Sequence, residues 1–316
     1  MHTKSMNSIA PIPIFDTHAH LDFPEYEADR DAILRRLQTG TFPGGLVPEE
    51  LDGQPIEVVG VLIPGVTPQK SIARPKTQSP TLFYAVGIHP NYTAVRPASG
   101  DKHSTAGSTS DSAESDWQYT AELARQDGIA AIGETGLDYH WKDAPPEVQI
   151  DMFHRHIALS HETGKPLLIH CRDAWEDLLP ILQQSGKLHG ILHAFSGSAE
   201  QMWECVELGL HISFAGSVTY RNAKFSPLWE AARQTPLDRL LIETDAPFMA
   251  PHPYRGKLQR NEPTLAALTA LRLAELRGDS LRTIAEATAA NAFRLLTGSS
   301  PRPALPSERH QANFCS

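Results

Sequence analysis

Two histidines sit two residues apart in Asp16-Thr17-His18-Ala19-His20, directly after the apolar run Pro13-Ile14-Phe15. Alternate residues at a strand end point the same way, so both imidazoles can face one ion. Neutral imidazole suits Zn, Mn, Fe or Ni. Taken alone, such a pair fits a polar loop after a strand more often than a metal site. The same residue types recur beside later apolar runs. Glu134 stands in Gly133-Glu134-Thr135-Gly136-Leu137-Asp138 and His170 in His170-Cys171-Arg172-Asp173. His193 stands in His193-Ala194-Phe195-Ser196-Gly197 and Asp245 in Glu243-Thr244-Asp245-Ala246-Pro247. Four imidazoles and two carboxylates make two ion sites if one carboxylate bridges. Two ions about 3.5–4 Å apart can activate a water and clamp a phosphoryl oxygen.

These residues meet only if the elements bring them together. Short apolar runs lie at Pro13–Phe15, Ile56–Ile63, Leu82–Val86, Ile129–Ile132, Pro166–Ile169, Ile191–Leu192, Leu210–Phe214 and Leu240–Ile242. They are continuous rather than alternating, as strands buried on both faces are. Amphipathic segments at 146–162, 174–184, 198–208, 225–234, 262–277 and 280–297 follow the later runs, and a further helix is expected near 116–127. Alternation of this kind means a parallel sheet. Eight such units favour a single (β/α)8 barrel of the TIM type over a doubly wound sheet. In a barrel the C-terminal strand ends converge on one face, where active sites lie.

The expected division is a flexible 1–11, a barrel over 12–298 and a disordered Pro- and Ser-rich tail over 299–316. Two segments look inserted. Residues 39–55 are rich in Gly and Pro, and residues 98–115 in Ser, Thr and Gly without apolar periodicity, so both read as loop.

Composition narrows the class. The chain has 316 residues, 41% hydrophobic and 21% charged, which is ordinary for a globular protein and excludes wholesale disorder. No run approaches the roughly 20 apolar residues of a membrane span, and the N-terminal stretch has no apolar core of a secretory signal. The three cysteines, Cys171, Cys205 and Cys315, are far apart and suggest neither a disulfide framework nor a zinc knuckle, which fits a cytoplasmic location. A net charge of −9 argues against coating nucleic acid through a broad basic face. A nuclease whose ions supply local positive charge stays open.

In order along the chain, DTHAHLD, GIHP, GETGLDY, IHCRDA, HAFSG, LLIETDAPF and YRGK…NEP resemble the TatD-related metal-dependent deoxyribonucleases of the amidohydrolase-like superfamily. The resemblance spans roughly 14–297. It implies that His18, His20 and Asp245 hold a first divalent metal and that Glu134 bridges to a second held by His170 and His193. Mg2+ is the expected ion, with Mn2+ or Zn2+ as alternatives. It also implies 3′–5′ exonuclease action on single-stranded or frayed DNA ends, with no membrane and no obligate protein partner. Some relatives are linked to removal of D-amino acids from tRNA, so an ester or amide hydrolase is the alternative. A barrel that only binds, having lost turnover, would lack a ligand, and none is missing. This chain departs from the family in Ala194, where Cys is usual, and in the added Leu258-Gln259-Arg260 before NEP.

Asp245 and Glu134 are the catalytic candidates, Asp245 as general base and Glu134 as bridge. Gly133 and Gly136 beside Glu134 leave room for a ligand. Arg172 either binds phosphate through its planar fork or pairs with Asp173. Arg255 is a weaker phosphate candidate. His89 could contact the scissile phosphate, and Ser196 with Gly197 could open a helix whose N–H groups hold one. Asp16 could orient a ligand histidine. His140, His154, His156, His161, His189, His211 and His252 have no such pattern and read as surface or satisfied core. His154 and His156, two apart on a helix, do not share a face.

Overall fold

The computed structural model describes residues 10–67, 81–94 and 110–299. Eight parallel strands follow chain order around one sheet: β1 (Ile12–Asp16), β2 (Ile56–Ile63), β3 (Thr81–Val86), β4 (Ala131–Asp138), β5 (Leu167–Arg172), β6 (Gly190–Leu192), β7 (Leu210–Phe214) and β8 (Leu240–Ile242). The ring closes beyond the ends of β1 and β8. Thr17 N–H donates to Ile242 O at 3.1 Å, Asp245 N–H to His18 O at 2.9 Å and His20 N–H to Ala246 O at 2.8 Å. This is the expected (β/α)8 barrel, and its last closing bonds involve the backbone of three candidate site residues.

The helices are α1 (Arg30–Thr39), α2 (Ser110–Ala124), α3 (Pro146–Thr163), α4 (Trp175–Gln184), α5 (Ala199–Glu207), α6 (Ser226–Gln234), α7 (Ala266–Arg277) and α8 (Leu281–Thr297). Sequence reasoning missed α1, although Ile33, Leu34 and Leu37 bury one face of it at helical spacing. Its three arginines and one aspartate mask that stripe. The 39–55 segment is loop with two short 3-10 turns, and its Leu51 is buried. Residues 110–115, expected as loop, instead form the first turns of α2. The rest of the 98–115 segment, the 1–9 stretch and the 300–316 tail lie outside the described residues. Among the described residues no helix is long and apolar enough to cross a membrane.

Side-chain alternation sets what fills the barrel. Phe15, Leu62, Ala85, Ala131, Leu168, Ile191 and Leu241, each from a different strand, form one buried cluster with Ala289 and Leu295 of α8. Their neighbours Ile14, Leu167, Ile169, Leu192, Leu240 and Ile242 pack in the cluster shared with the helices. Two residues past an inward apolar residue, the next inward position comes up toward the C-terminal face. Leu168 leads to His170, Ile191 to His193, and Leu241 to Glu243 and Asp245. His170, His193, Glu243 and Asp245 are thus the polar upper layer of the same inward faces, whereas His18 and His20 lie past the end of β1, out of step with the inward Phe15.

Strand β4 breaks the alternation. It runs through GETGLD, whereas the sequence suggested a strand ending at Ile132. Its register to β5 slips between Gly133, opposite Leu168, and Thr135, opposite Ile169, leaving Glu134 unpaired in a bulge. A bulge re-aims the extra residue and reverses the facing beyond it. Glu134 and Asp138 therefore both point inward. Gly133 (φ +143°) and Gly136 (φ +126°) have a different reason from ligand room. A Cβ would meet Leu168 O at 2.4 Å and His170 O at 2.1 Å respectively.

Beneath β3, α3 presents His156, fully buried. Its Nε2 accepts the Ile88 N–H at 3.1 Å and its Nδ1 faces Met152 O at 2.8 Å. The ring is a satisfied core histidine, as expected, and must be neutral to accept. Burial holds its pKa down at about 4, against 6.5 when unfolded. The unfolded chain then binds more protons between these values, so stability rises from pH 4 to pH 6.5 and is lost on acidification, by about 3 kcal/mol from this group. Urea unfolding of His156→Gln, neutral throughout, should show a shallower fall in stability over that window than the native chain. Parallel curves would assign the acid sensitivity elsewhere.

Candidate metal centre

Glu134 occupies the middle of the upper layer, and its side chain is nearly inaccessible. Oε2 lies 3.4 Å from His18 Nε2 and 3.8 Å from His20 Nε2. Oε1 lies 2.9 Å from His193 Nε2 and 3.0 Å from His170 Nδ1. Asp245 Oδ1 faces the first pair, at 3.7 Å from His18 Nε2 and 3.5 Å from His20 Nε2. The two Nε2 atoms of His18 and His20 are 3.1 Å apart, and His170 Nδ1 and His193 Nε2 are 3.0 Å apart. Two ligands each about 2.1 Å from one ion, at 90–110°, stand roughly 3.0–3.4 Å apart. Glu134 Oε2 is buried without a hydrogen-bond partner. Orphaned oxygen and converging ring nitrogens fit a divalent cation.

Outer carboxylates fix the rings. His193 Nδ1 is 3.3 Å from Glu243 Oε1, which also accepts the Ala194 N–H at 2.7 Å. His170 Nε2 is 3.1 Å from Asp138 Oδ2. Each contact places the ring proton on the outer nitrogen and turns the other lone pair to the centre. The two histidines present opposite nitrogens for that reason. His18 and His193 also stack, with centroids 3.9 Å apart. Sequence reasoning quoted Asp138 and Glu243 but gave them no role. The signals were their positions, Asp138 four residues after Glu134 and Glu243 two before Asp245, which only the bulge and the strand facing convert into proximity.

The electrostatics follow. Burial works to raise the Glu134 pKa, but His89, His193 and His18 hold it well below the usual range. Burial likewise opposes ionisation of Asp138, and the His170 contact prevails to leave it at about 2. Burial lowers His18, whereas at His193 it is outweighed by Glu134 and Glu243, which hold the imidazolium well above its ordinary value. Asp245 stays low through His20, His18 and His193, against its burial.

The other candidates divide. His89 joins the cluster, with Nε2 3.4 Å from Glu134 Oε1. Its Nδ1 accepts the Asn91 N–H at 3.2 Å, so Nε2 carries the hydrogen and faces inward as a donor. Arg172 is exposed and does not pair with Asp173, which instead meets His140 at 3.2 Å. Its guanidinium lies 5.5 Å from the Trp141 ring centroid. Arg255 is exposed and stacks on Tyr220 at 4.2 Å. Ser196 is exposed and does not open α5. Ser198 is the N-cap and forms a reciprocal capping box with Gln201, so the helix start is already satisfied. Asp16 binds no ring. Its Oδ1 accepts the N–H groups of His18 at 3.1 Å and Thr244 at 3.0 Å, and its Oδ2 accepts the Thr244 hydroxyl at 2.5 Å. It ties together the ends of β1 and β8 that carry His18, His20 and Asp245.

The model of the TatD related DNase family matches residues 15–297. The chain belongs to the TatD-related DNase family. The metal-dependent hydrolase YabD of Bacillus subtilis strain 168, itself uncharacterized, is 37% identical over 89% of this chain and 98% of its own. The relative from Erwinia tasmaniensis described as 3′-5′ ssDNA/RNA exonuclease TatD is 29% identical over 89% of this chain and 99% of its own. Among solved structures, the TatD homologue YJJV of Escherichia coli K12 superposes with a TM-score of 0.72 at 28% identity, covering 90% of this chain and 97% of that one. The TatD-family chain is a metal-dependent hydrolase with a cluster able to hold divalent metal.

Removing an outer carboxylate should loosen metal without unfolding the barrel. Asp138→Asn and Glu243→Gln are each expected to weaken metal retention about 10- to 100-fold. Titration against a competing chelator measures this, with circular dichroism reporting the fold. Native affinity in both variants would remove the orienting role.

Proposed function

We propose that this TatD-family hydrolase cleaves phosphodiesters as a 3′–5′ exodeoxyribonuclease and draws on two divalent ions, with Mg2+ expected. The observation that carries the reading is Glu134, whose two oxygens face separate histidine pairs. His18, His20 and Asp245 would hold one ion, His170 and His193 the other, and Glu134 would bridge. Such ions, when bound, polarise a phosphoryl oxygen and lower the pKa of water. The chain's own residues do the rest. Asp245, with 15% of its side chain exposed, is the carboxylate placed to take a proton. Its low pKa limits it to passing that proton on. His89 offers its Nε2–H to a phosphate oxygen, and Arg172 and Arg255 offer forked donors to neighbouring phosphates. The name of the Erwinia relative supports both the polarity and the single-stranded substrate.

Digestion of a 5′-labelled single-stranded DNA with Mg2+, Mn2+ or EDTA tests the reading. The expected result is a metal-dependent ladder shortening from the 3′ end, with kcat reduced about 10²- to 10⁴-fold in Asp245→Ala. A folded protein that binds two ions and cleaves no DNA with either metal would overturn it. A D-aminoacyl-tRNA ester would then be the substrate to assay.

A further inference from the structure

Two large rings stand exposed at the rim of the centre, on opposite sides. Phe248 follows β8 and is 49% exposed, and Trp141 follows β4 and is 51% exposed. In a ring of eight strands in chain order, β4 and β8 face each other across the mouth. Phe248 is anchored toward the metal cluster, with its ring 6.1 Å from His20 and 6.2 Å from Phe23, which stacks on His20 at 4.3 Å. Trp141 packs edge-on to His140 at 4.9 Å, and Arg172, two residues past His170, lies over it. Trp203 and Trp229 place their indole N–H groups on Gln234 and Val218, whereas no partner for that of Trp141 is found among the described residues.

Two arginines, at the end of β5 and in the loop after β8, are also set apart. Arg36, Arg125, Arg155 and Arg260 each hold a carboxylate. Arg172 and Arg255 make no ion pair among the described residues and are held by ring stacking alone. That leaves their donors directed outward in a protein of net charge −9. The Tyr220 hydroxyl donates to Ala250 O at 3.3 Å, so the Tyr220–Arg255 stack rests on the segment after β8 that carries Phe248. Arg172 lies over Trp141 on one side of the mouth, and on the other the segment that carries Phe248 also carries the Tyr220–Arg255 stack, neither arginine holding a carboxylate among the described residues. A polyanion whose monomers also carry flat, apolar faces is the ligand that uses both.

Resting on the phosphodiesterase reading above, we propose that Phe248 and Trp141 are nucleobase platforms that hold single-stranded polynucleotide by stacking on either side of the scissile phosphate. Bases can stack on these rings only when they are not stacked within a duplex, so the platforms select single strands and frayed ends.

Binding of a hydrolysis-resistant phosphorothioate dT8, compared with an abasic octamer of equal length and charge, tests this without turnover. The native protein should prefer dT8 by about 5- to 150-fold for each stacked base. Phe248→Ala and Trp141→Ala should each lose one such factor, while Phe248→Tyr and Trp141→Phe, which keep a ring, should retain most of it. Equal native affinity for both octamers would overturn the platforms, as would an alanine variant weakened equally toward both. A native protein that prefers dT8 through these rings yet cleaves no DNA would keep the platforms and remove the nuclease.

Discussion

A carboxylate shut inside a barrel is unfavourable by several kcal/mol unless charge and hydrogen bonding compensate it. Glu134 is in that position, and the architecture of the upper layer is a response to it. Four imidazoles from three separate segments converge on its two oxygens, and His89 adds a fifth. Those imidazoles are themselves buried, so they need partners on their outer edges, which Asp138 and Glu243 supply to two of them. The result is alternating acid and base running from Asp138 through His170, Glu134 and His193 to Glu243. A divalent cation here would take the inward nitrogens of His170 and His193, whose outer nitrogens the carboxylates already hold. Among the described residues the Nδ1 atoms of His18 and His20 find no hydrogen-bond partner. Their aim comes from the backbone bonds of Asp16 and the rim closure.

That division explains why the barrel is closed where it is. Between β1 and β8 the ordinary ladder is replaced by bonds among Thr17, His18, His20, Ile242, Asp245 and Ala246. Asp16 and Thr244 reinforce the joint from beneath. Positive φ at Asp245 (+54°) and Ala194 (+42°) marks the turns where the chain leaves β8 and β6. Such backbone holds side chains in place only because the surrounding bonds over-determine it. Ala194 donates its N–H to Glu243. The orienting bond is a main-chain one and so does not depend on the side chain at position 194.

The barrel and the convergence of the six central residues were legible because each stands at or just past the C-terminal end of an apolar run, and those ends meet on one face. What escaped depended on local geometry that this placement alone does not give. The bulge at Glu134 has no compositional signature beyond its glycines, and those glycines read as space for a ligand when they are in fact close approaches to β5. Without the bulge, Asp138 would point outward, so its partnership with His170 was hidden. The helix opened by Ser198 rather than Ser196 turns on a capping box with Gln201, a local pattern the sequence does contain. Arg172 shares the register of His170, yet it lies past the end of the inward layer, so equal facing did not bring it onto the ligands. α1 was lost to its charge, although its buried residues have the spacing that identified the other helices.

Leu258-Gln259-Arg260 is fastened away from the centre. Arg260 binds Asp29 and lies 4.7 Å over the Tyr26 ring, and it also reaches Glu262, which Arg36 grips through two bonds of 2.9 and 2.7 Å. All of these partners belong to the β1–α1 connection, to α1 or to the loop itself. Next to it, Asn261 donates to Thr244 O at 3.0 Å and Phe248 O at 2.7 Å, and its own carbonyl accepts the Tyr26 hydroxyl at 2.6 Å. The extra residues are therefore fastened to the outside of the segment that follows β1, while Asn261 holds the segment that follows β8 from within. Both bonds of Asn261 fall on backbone carbonyls that flank Asp245. The arginine network thus bears on the segment after β1, while Asn261 ties the turn that carries Asp245 and Phe248.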